Sequence, residues 1–147
     1  MPTTADHELA DRVTRRRARM MPVLAILFLA GQPFYFARNR IEIDTPVKTA
    51  VWLVWAAILL LALAMAGGHF RGKAVRDLVE DEVTRSNRLR AYAAGFWTAM
   101  ATVFGIYGLS VFDNIQGRES LHLVMTFSVA AALITFGMLE KRALRDG

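Results

Sequence analysis

Residues Ser120–Leu139 read SLHLVMTFSVAAALITFGML, twenty consecutive positions without Lys, Arg, Asp or Glu. Three further windows share this property, namely Met20–Ala37, Thr49–Gly68 and Ala91–Phe112, with 18, 20 and 22 residues. A helix that crosses the roughly 30 Å hydrocarbon core of a bilayer needs about 20 apolar residues, and a charge at its centre costs about 2.5 kcal/mol or more. The pattern therefore predicts an all-α polytopic membrane protein, built as an antiparallel four-helix transmembrane bundle.

The segments between the windows are too short to form a separate soluble domain. In a chain of 147 residues they comprise a basic arm (1–19), a central loop (69–90), a tail (140–147) and two brief connections. We expect the arm to be retained, because no Ala-x-Ala cleavage site follows the first window. The transmembrane domain is therefore predicted to cover residues 20–139.

Basic residues are distributed unevenly between the two sides of the predicted bundle. The arm, the central loop and the tail carry 14 of the 18 Lys and Arg residues, and the two other connections carry 4. The positive-inside rule then places both termini and the central loop in the cytoplasm. Fifteen of the basic residues are Arg and Ala is abundant, a bias typical of GC-rich bacterial genomes. We therefore expect the protein in the bacterial inner membrane.

Composition and histidine positions predict neither a metal nor a cofactor. The chain has no Cys, which excludes a thiol nucleophile, a disulfide and a Cys-ligated metal. His7 lies in the arm, His69 at the inner end of the second window and His122 at the outer end of the fourth, so they cannot share one site. We expect His122 to be an interfacial imidazole. Because nucleophile, base and metal ligands do not converge, an enzyme is not expected.

A few polar residues within the windows are candidates for an intramembrane pocket. Pro33 should kink the first helix near its outer end, because its ring clashes with the carbonyl of Leu29. The adjacent Gln32 is able to bond a freed carbonyl or a neighbouring helix, or to line a pocket. The candidate pocket residues are Gln32, Pro33, Thr98, Thr102 and Tyr107. The alternative is ordinary packing of satisfied polar groups between helices.

Small residues in the second and third windows indicate which helix faces pack closely. Gly95-x-x-x-Ala99 and Ala101-x-x-x-Gly105 allow two backbones to approach each other. We expect a homodimer, formed through small residues of the third or fourth helix. In the second window, an Ala stripe (Ala50, Ala57 and Ala64) is predicted to face the bundle and the other side to face lipid.

The central loop ends in a long predicted helix. Lys73–Arg90 reads KAVRDLVEDEVTRSNRLR, without Gly or Pro and with apolar residues near helical spacing. This predicts one helix from about Ala74 to Phe112, with several turns in the cytoplasm. Acidic residues come first and basic residues follow, so the segment is a candidate docking site for a basic protein. Its predicted binding residues are Asp77, Glu80, Asp81, Glu82, Arg85 and Arg88. The alternative is an ordinary solvated helix face.

Four windows, a basic arm and the stretch VEDEVTRSNR (79–88) resemble a group of small four-helix inner-membrane proteins of bacteria. Genes of that group often lie beside those of short helix-turn-helix regulators. The resemblance implies a protein that tethers a DNA-binding regulator at the membrane and thereby controls transcription. The chain itself lacks a DNA-reading motif, so direct binding of nucleic acid is not expected.

Three classes of function follow. The first is a non-enzymatic regulatory or scaffold protein that docks a basic cytoplasmic partner. The second is a small-molecule carrier or channel, and the third is an accessory subunit of a larger membrane complex. The windows contain no carboxylate, which argues against a proton-coupled multidrug exporter.

Overall fold

The structure is a computed structural model that describes residues 4–33, 45–67, 82–110 and 117–146. Within these ranges the chain forms four helices: α1 (Thr4–Ala30), α2 (Thr45–Ala64), α3 (Glu82–Leu109) and α4 (Gly117–Asp146). A 3₁₀ turn at Met65–Gly67 follows α2. The predicted all-α class and the number of helices are therefore confirmed. Each charge-free window lies mainly on one helix.

Helix α4 packs against the other three helices, most extensively against α3 and α1. At one end of the α1–α4 pair Arg17 bonds Glu140, and at the other end Gln32 bonds His122. Asn87 likewise bonds Glu140, whereas Gly95, eight positions further along α3, lies against Ser128. Both α1 and α3 are thus antiparallel to α4. The two ends of the bundle are named here the Arg17 end and the Gln32 end.

Two predicted helices extend beyond their windows. The arm is not a separate element, since α1 continues without a break from Thr4 through the first window to Ala30. Similarly, α3 runs from Glu82 through Ser86 and Asn87 into the third window, which confirms this part of the predicted long helix. Residues 74–81 and 111–112 of that prediction lie outside the described ranges.

The core is formed by one apolar stripe from each helix. Its best-buried large side chains are Phe28 of α1, Leu59 and Leu63 of α2, and Leu133 and Phe136 of α4. Small residues fill the remaining space where helices approach, with Ala25, Ala56, Ala91 and Ala132 all buried. Helix α3 accordingly contributes the face with its smallest side chains to the core, and its large aromatic residues point outward.

The predicted Ala stripe of α2 is wrong. Ala50, Ala57 and Ala64 are exposed, whereas Ala56, Leu59 and Leu63 are buried. Seven-residue spacing identifies residues that share a helix face, but it does not say which face is inward. The space between α2 and the other helices is filled by leucine side chains, so the face with the larger residues turns inward.

Two glycines set the closest helix contacts. A Cβ atom at Gly95 would come within 3.1 Å of the Ser128 carbonyl and 3.2 Å of the Ala132 Cβ. At Gly137 it would overlap the ring of Pro22, which lies inside α1. Gly105 has no neighbour within 4 Å. Of the small residues predicted to form a dimer face, Gly95 therefore packs within the bundle and Gly105 faces open space, and the homodimer stays a prediction.

Length and composition qualify one described helix as a membrane crossing. This segment is Glu119–Arg145 of α4, with a mean hydropathy of 1.8 in its most apolar window. A shorter apolar helix covers Thr49–Ala64 in α2. The finding supports association with a membrane.

Replacing Gly137 with Ala should destabilise the protein, because the added methyl group overlaps the Pro22 ring. Overpacking of this kind typically costs about 1–3 kcal/mol. The matched control is Gly105→Ala, which gains the same helix propensity, about 1 kcal/mol, but meets no neighbour. Thermal unfolding in detergent, followed by circular dichroism, should show a lower midpoint for Gly137→Ala alone. Equal midpoints for the two variants would contradict the packing described here.

Candidate functional site

Two polar clusters join the helices, one at each end of the bundle. The Arg17 cluster comprises Arg17 of α1, Thr84 and Asn87 of α3, and Glu140 of α4. The His122 cluster comprises Gln32 just after α1, Trp52 of α2, and His122 and Thr126 of α4. Apolar residues pack between the two clusters.

Arg17 and Glu140 form a buried ion pair, with 7% and 1% of each residue exposed. The Arg17 guanidinium also donates to the carbonyl of Ala66, which follows α2, and to the Thr84 hydroxyl at 3.2 Å. Asn87 donates its amide to the second oxygen of Glu140 at 3.2 Å. One guanidinium and one carboxylate thus connect all four helical segments.

An aromatic ring covers the guanidinium. The central carbon of the Arg17 guanidinium lies 5.3 Å from the centroid of Phe136, one helical turn before Glu140 on α4. A cation over the negative face of an aromatic ring is attracted to it, and the attraction grows when water is excluded. Among the described residues the Arg17 Nε atom has no hydrogen-bond partner, so this ring supplies part of its compensation.

Sequence analysis missed this cluster, although a signal for it was present. Arg17 was counted with the arm and Glu140 with the tail, because both lie just outside charge-free windows. Their helical phase places them inward, since Arg17 lies four positions before the buried Met21, and Glu140 four positions after the buried Phe136. A charge that continues a buried apolar stripe predicts a buried partner.

His122 is buried between helices, with 3% of the residue exposed, and its position at the level of the membrane interface stays a prediction. Its Nε2 atom lies 2.6 Å from Gln32 Oε1, and its ring lies against Trp52 with 4.2 Å between centroids. Trp52 in turn stacks on Phe28 at 6.1 Å. Aromatic residues from α1 and α2 thus enclose the imidazole, which is why it is withdrawn from the surface.

The orientation of the Gln32 side-chain amide determines which ring nitrogen of a neutral His122 carries the proton. Gln32 Nε2 donates to the Phe28 carbonyl at 2.7 Å, so its Oε1 must be the acceptor for His122. The Thr126 hydroxyl reaches the same oxygen at 3.4 Å. A neutral His122 therefore carries its proton on Nε2. Gln32 thus makes one of the contacts considered from sequence, that with a neighbouring helix. Its other bond goes to the Phe28 carbonyl and not to the Leu29 carbonyl that Pro33 would free.

The other predicted pocket residues do not join Gln32 by hydrogen bonds within the described ranges. Thr102 donates to the Thr98 carbonyl at 2.8 Å, inside α3. Tyr107 is 76% exposed, and Pro33 is also exposed. Gln32 instead contacts Phe28, His122 and Thr126. An intramembrane pocket formed from both groups stays a prediction.

Of the predicted docking residues that the structure describes, two are exposed and one is hydrogen-bonded to α2. Glu82, the first residue of α3, and Arg85 are exposed. Arg88 donates to the carbonyl of Ala64 at 3.2 Å and so holds the end of α2. Asp77, Glu80 and Asp81 lie outside the described residues.

In both clusters, polar side chains connect one helix to another through hydrogen bonds. Within residues 4–33, 45–67, 82–110 and 117–146, no group of three or more His, Asp or Glu side chains is placed to hold a metal ion. Arg17 and Glu140 neutralise each other, and His122 contacts the Gln32 amide. The Arg17 cluster also fixes the first turns of α3, directly after the acidic sequence 77–82.

Comparison with known proteins finds no match. No protein-family model, curated protein or solved structure matches this chain.

Breaking the Arg17–Glu140 pair from either side should destabilise the bundle strongly. Arg17→Met or Glu140→Leu leaves a buried charge without its partner, at a cost of about 3–5 kcal/mol. The double variant Arg17→Met/Glu140→Leu removes both charges and should recover much of this loss. Denaturant unfolding in detergent micelles provides the free energies for the double-mutant cycle.

The exposed pair between Arg15 and Asp11, at 2.9 Å on α1, is the matched control. Breaking it with Asp11→Asn should cost only about 0.3–0.5 kcal/mol, as is usual for exposed i,i+4 pairs. Single variants at Arg17 and Glu140 that behave like this control would show that the pair is not buried.

Proposed function

We propose that the chain is a polytopic protein of the bacterial inner membrane, in which all four helices cross the bilayer and both termini are cytoplasmic. The proposal is supported by one observation in particular. On α1, α3 and α4 the outward face is basic at the Arg17 end and apolar along the rest of the helix. The Arg17 cluster holds these three basic ends at the same level.

Helix α1 shows the change of character most clearly. Arg12, Arg16 and Arg19 are exposed on its outward side, and Val23, Ile26 and Leu27 continue that side with 51%, 61% and 58% exposure. Helix α4 repeats the order in reverse, from the exposed apolar Phe127 and Met138 to the exposed basic Arg142 and Arg145. On α3 the exposed Arg85 precedes the exposed aromatics Phe96, Phe104 and Tyr107.

A bilayer accounts for this surface better than water does. Soluble monomers rarely expose a contiguous apolar patch larger than a few hundred Å², whereas outward apolar residues here follow α1, α2 and α3 for several turns. The charge-free part of α4, Ser120–Leu139, corresponds to about 30 Å of helix, which is the thickness of the hydrocarbon core. Arg, Lys and Glu residues on both sides of it would lie at headgroup level.

Site-directed labelling tests the topology. The sequence has no Cys, so a single Cys at Thr45 or Gly117, the first residues of α2 and α4, gives an unambiguous signal. Both should react with an impermeant thiol reagent added from the periplasm. A Cys at Glu8, in the first part of α1, is the control and should react only after permeabilisation. Protection of both Thr45→Cys and Gly117→Cys in intact cells would contradict the topology.

The role that we propose is regulatory and non-enzymatic. The acidic sequence before α3 docks a basic cytoplasmic protein, and the resemblance stated above suggests a helix-turn-helix transcription regulator that is held at the membrane. Thr84 and Asn87 support this proposal, since both are buried in the Arg17 cluster just after the acidic residues. The docking sequence thus leads into α3, which the Arg17 cluster fixes to the bundle. Glu82, the last acidic residue of that sequence, is the first residue of α3 and is exposed. Complementary charge would then guide the partner to the membrane and select it.

Neutralising the acidic residues should reduce capture of the partner. The test variant exchanges Asp77, Glu80, Asp81 and Glu82 for Asn or Gln, and all four lie outside the charge-free windows, so insertion should persist. Copurification from native membranes, quantified by mass spectrometry, should yield less of a basic protein, and the remaining binding should depend less on salt.

A control variant removes the same number of negative charges on the same side of the membrane. It exchanges Asp6, Glu8, Asp11 and Asp146 for Asn or Gln and should leave capture unchanged. Equal yields of the same partners from the test variant and the wild type would overturn the docking site. The carrier and accessory-subunit alternatives would then gain support.

A further inference from the structure

We propose that the outward face of α1 is a binding site for anionic phospholipid headgroups, formed by Arg12, Arg16 and Arg19. This inference depends on the proposed membrane insertion and goes beyond it, because it assigns a lipid class and a particular set of residues. The site is separate from the acidic docking sequence and has the opposite charge.

The three arginines share one side of a helix. They are spaced i, i+4 and i+7, which places them within one outward stripe of α1. The opposite side carries Arg17 and Met21, which are buried against the bundle. Over the three positions α1 rises by about 10 Å, slightly more than the roughly 5–8 Å of one headgroup layer.

Their charges are available, whereas those of the other two arginines in the arm are engaged. Arg17 is paired with Glu140 in the core, and Arg15 is paired with Asp11 at 2.9 Å. Arg12, Arg16 and Arg19 are exposed and form no ion pair within the described part of the chain. The five arginines thus separate into one internal residue, one locally neutralised residue and three that present free guanidinium groups on one stripe.

A phospholipid fits this face better than a soluble anion. Guanidinium groups bind phosphate oxygens through two parallel hydrogen bonds. Directly after Arg19 the same stripe continues with the exposed Val23, Ile26 and Leu27. A phosphodiester headgroup at the arginines would place its acyl chains along these residues, and a soluble polyanion would leave them uncovered.

The test uses the full-length protein purified in a neutral detergent, with phosphatidylglycerol, phosphatidylcholine or inorganic phosphate as the probe. Native mass spectrometry measures how much of each probe stays bound. The wild type should retain phosphatidylglycerol in preference to phosphatidylcholine, and inorganic phosphate should not compete. Equal retention of the two lipids would overturn the proposal, and full competition by inorganic phosphate would show an anion site without lipid specificity, which also overturns it.

Matched variants test the residues. The variant Arg12→Gln/Arg16→Gln/Arg19→Gln should lower retention of phosphatidylglycerol about a hundredfold, since each Arg near an anionic surface contributes about fivefold. The three Lys substitutions keep the charge and should retain most of the binding. Arg16→Gln should weaken binding more than Arg15→Gln, although both remove one charge from adjacent positions, because Asp11 already offsets Arg15. Equal effects of these two single variants would overturn the assignment to the stripe.

Insertion is measured separately, by resistance of the wild type and variants to extraction from membranes with alkaline carbonate. A wild type that is inserted but shows no lipid preference would refute the lipid site alone. A wild type that is washed from the membrane would refute the insertion and the lipid site together.

Discussion

The ion pair between Arg17 and Glu140 is the contact on which the arrangement of the four helices depends. Its two residues come from α1 and α4, and their remaining hydrogen bonds reach α3 and the end of α2. Removing two charges from water is costly, and the cost is offset only where geometry and additional hydrogen bonds compensate both groups. Here Thr84, Asn87, the Ala66 carbonyl and the Phe136 ring provide that compensation. An alternative packing of the helices would have to leave at least one of these charges uncompensated, so the pair favours one arrangement over others.

Between the two polar clusters, specificity comes from shape. In the bilayer proposed above, association of apolar helices would gain little from the hydrophobic effect and would depend on close packing. Gly95 admits the Ser128 carbonyl, and Gly137 admits the Pro22 ring, so α4 lies close to both of its main neighbours. Polar contacts at the ends and small residues in the middle therefore act together to hold α4 between α1 and α3.

The four helices were predictable from sequence, because a long apolar window without charges permits little else at this length. The orientation of each helix about its own axis was much less predictable. In α2 small size suggested the Ala50, Ala57 and Ala64 face, yet Leu59 and Leu63 turn inward, since the volume to be filled depends on neighbours that sequence spacing does not specify. His122 and Glu140 lie at the edges of a window, where exposure and burial are equally compatible with the composition. Of the candidate docking set, the engagement of Arg88 with the end of α2 depends on a contact across 24 positions, which no local pattern contains.

The two clusters also constrain the length of the chain between them. On α1 the residues that contact α4 are Arg17 and Gln32, and their partners on α4 are Glu140 and His122. One residue inserted or deleted between Arg17 and Gln32, or between His122 and Glu140, would rotate one end of that helix relative to the other by about 100°. Only one of the two contacts could then form. Single-residue changes in length should therefore be excluded from these two segments during evolution. Variation in length would be confined to the connections between helices and to the two ends of the chain.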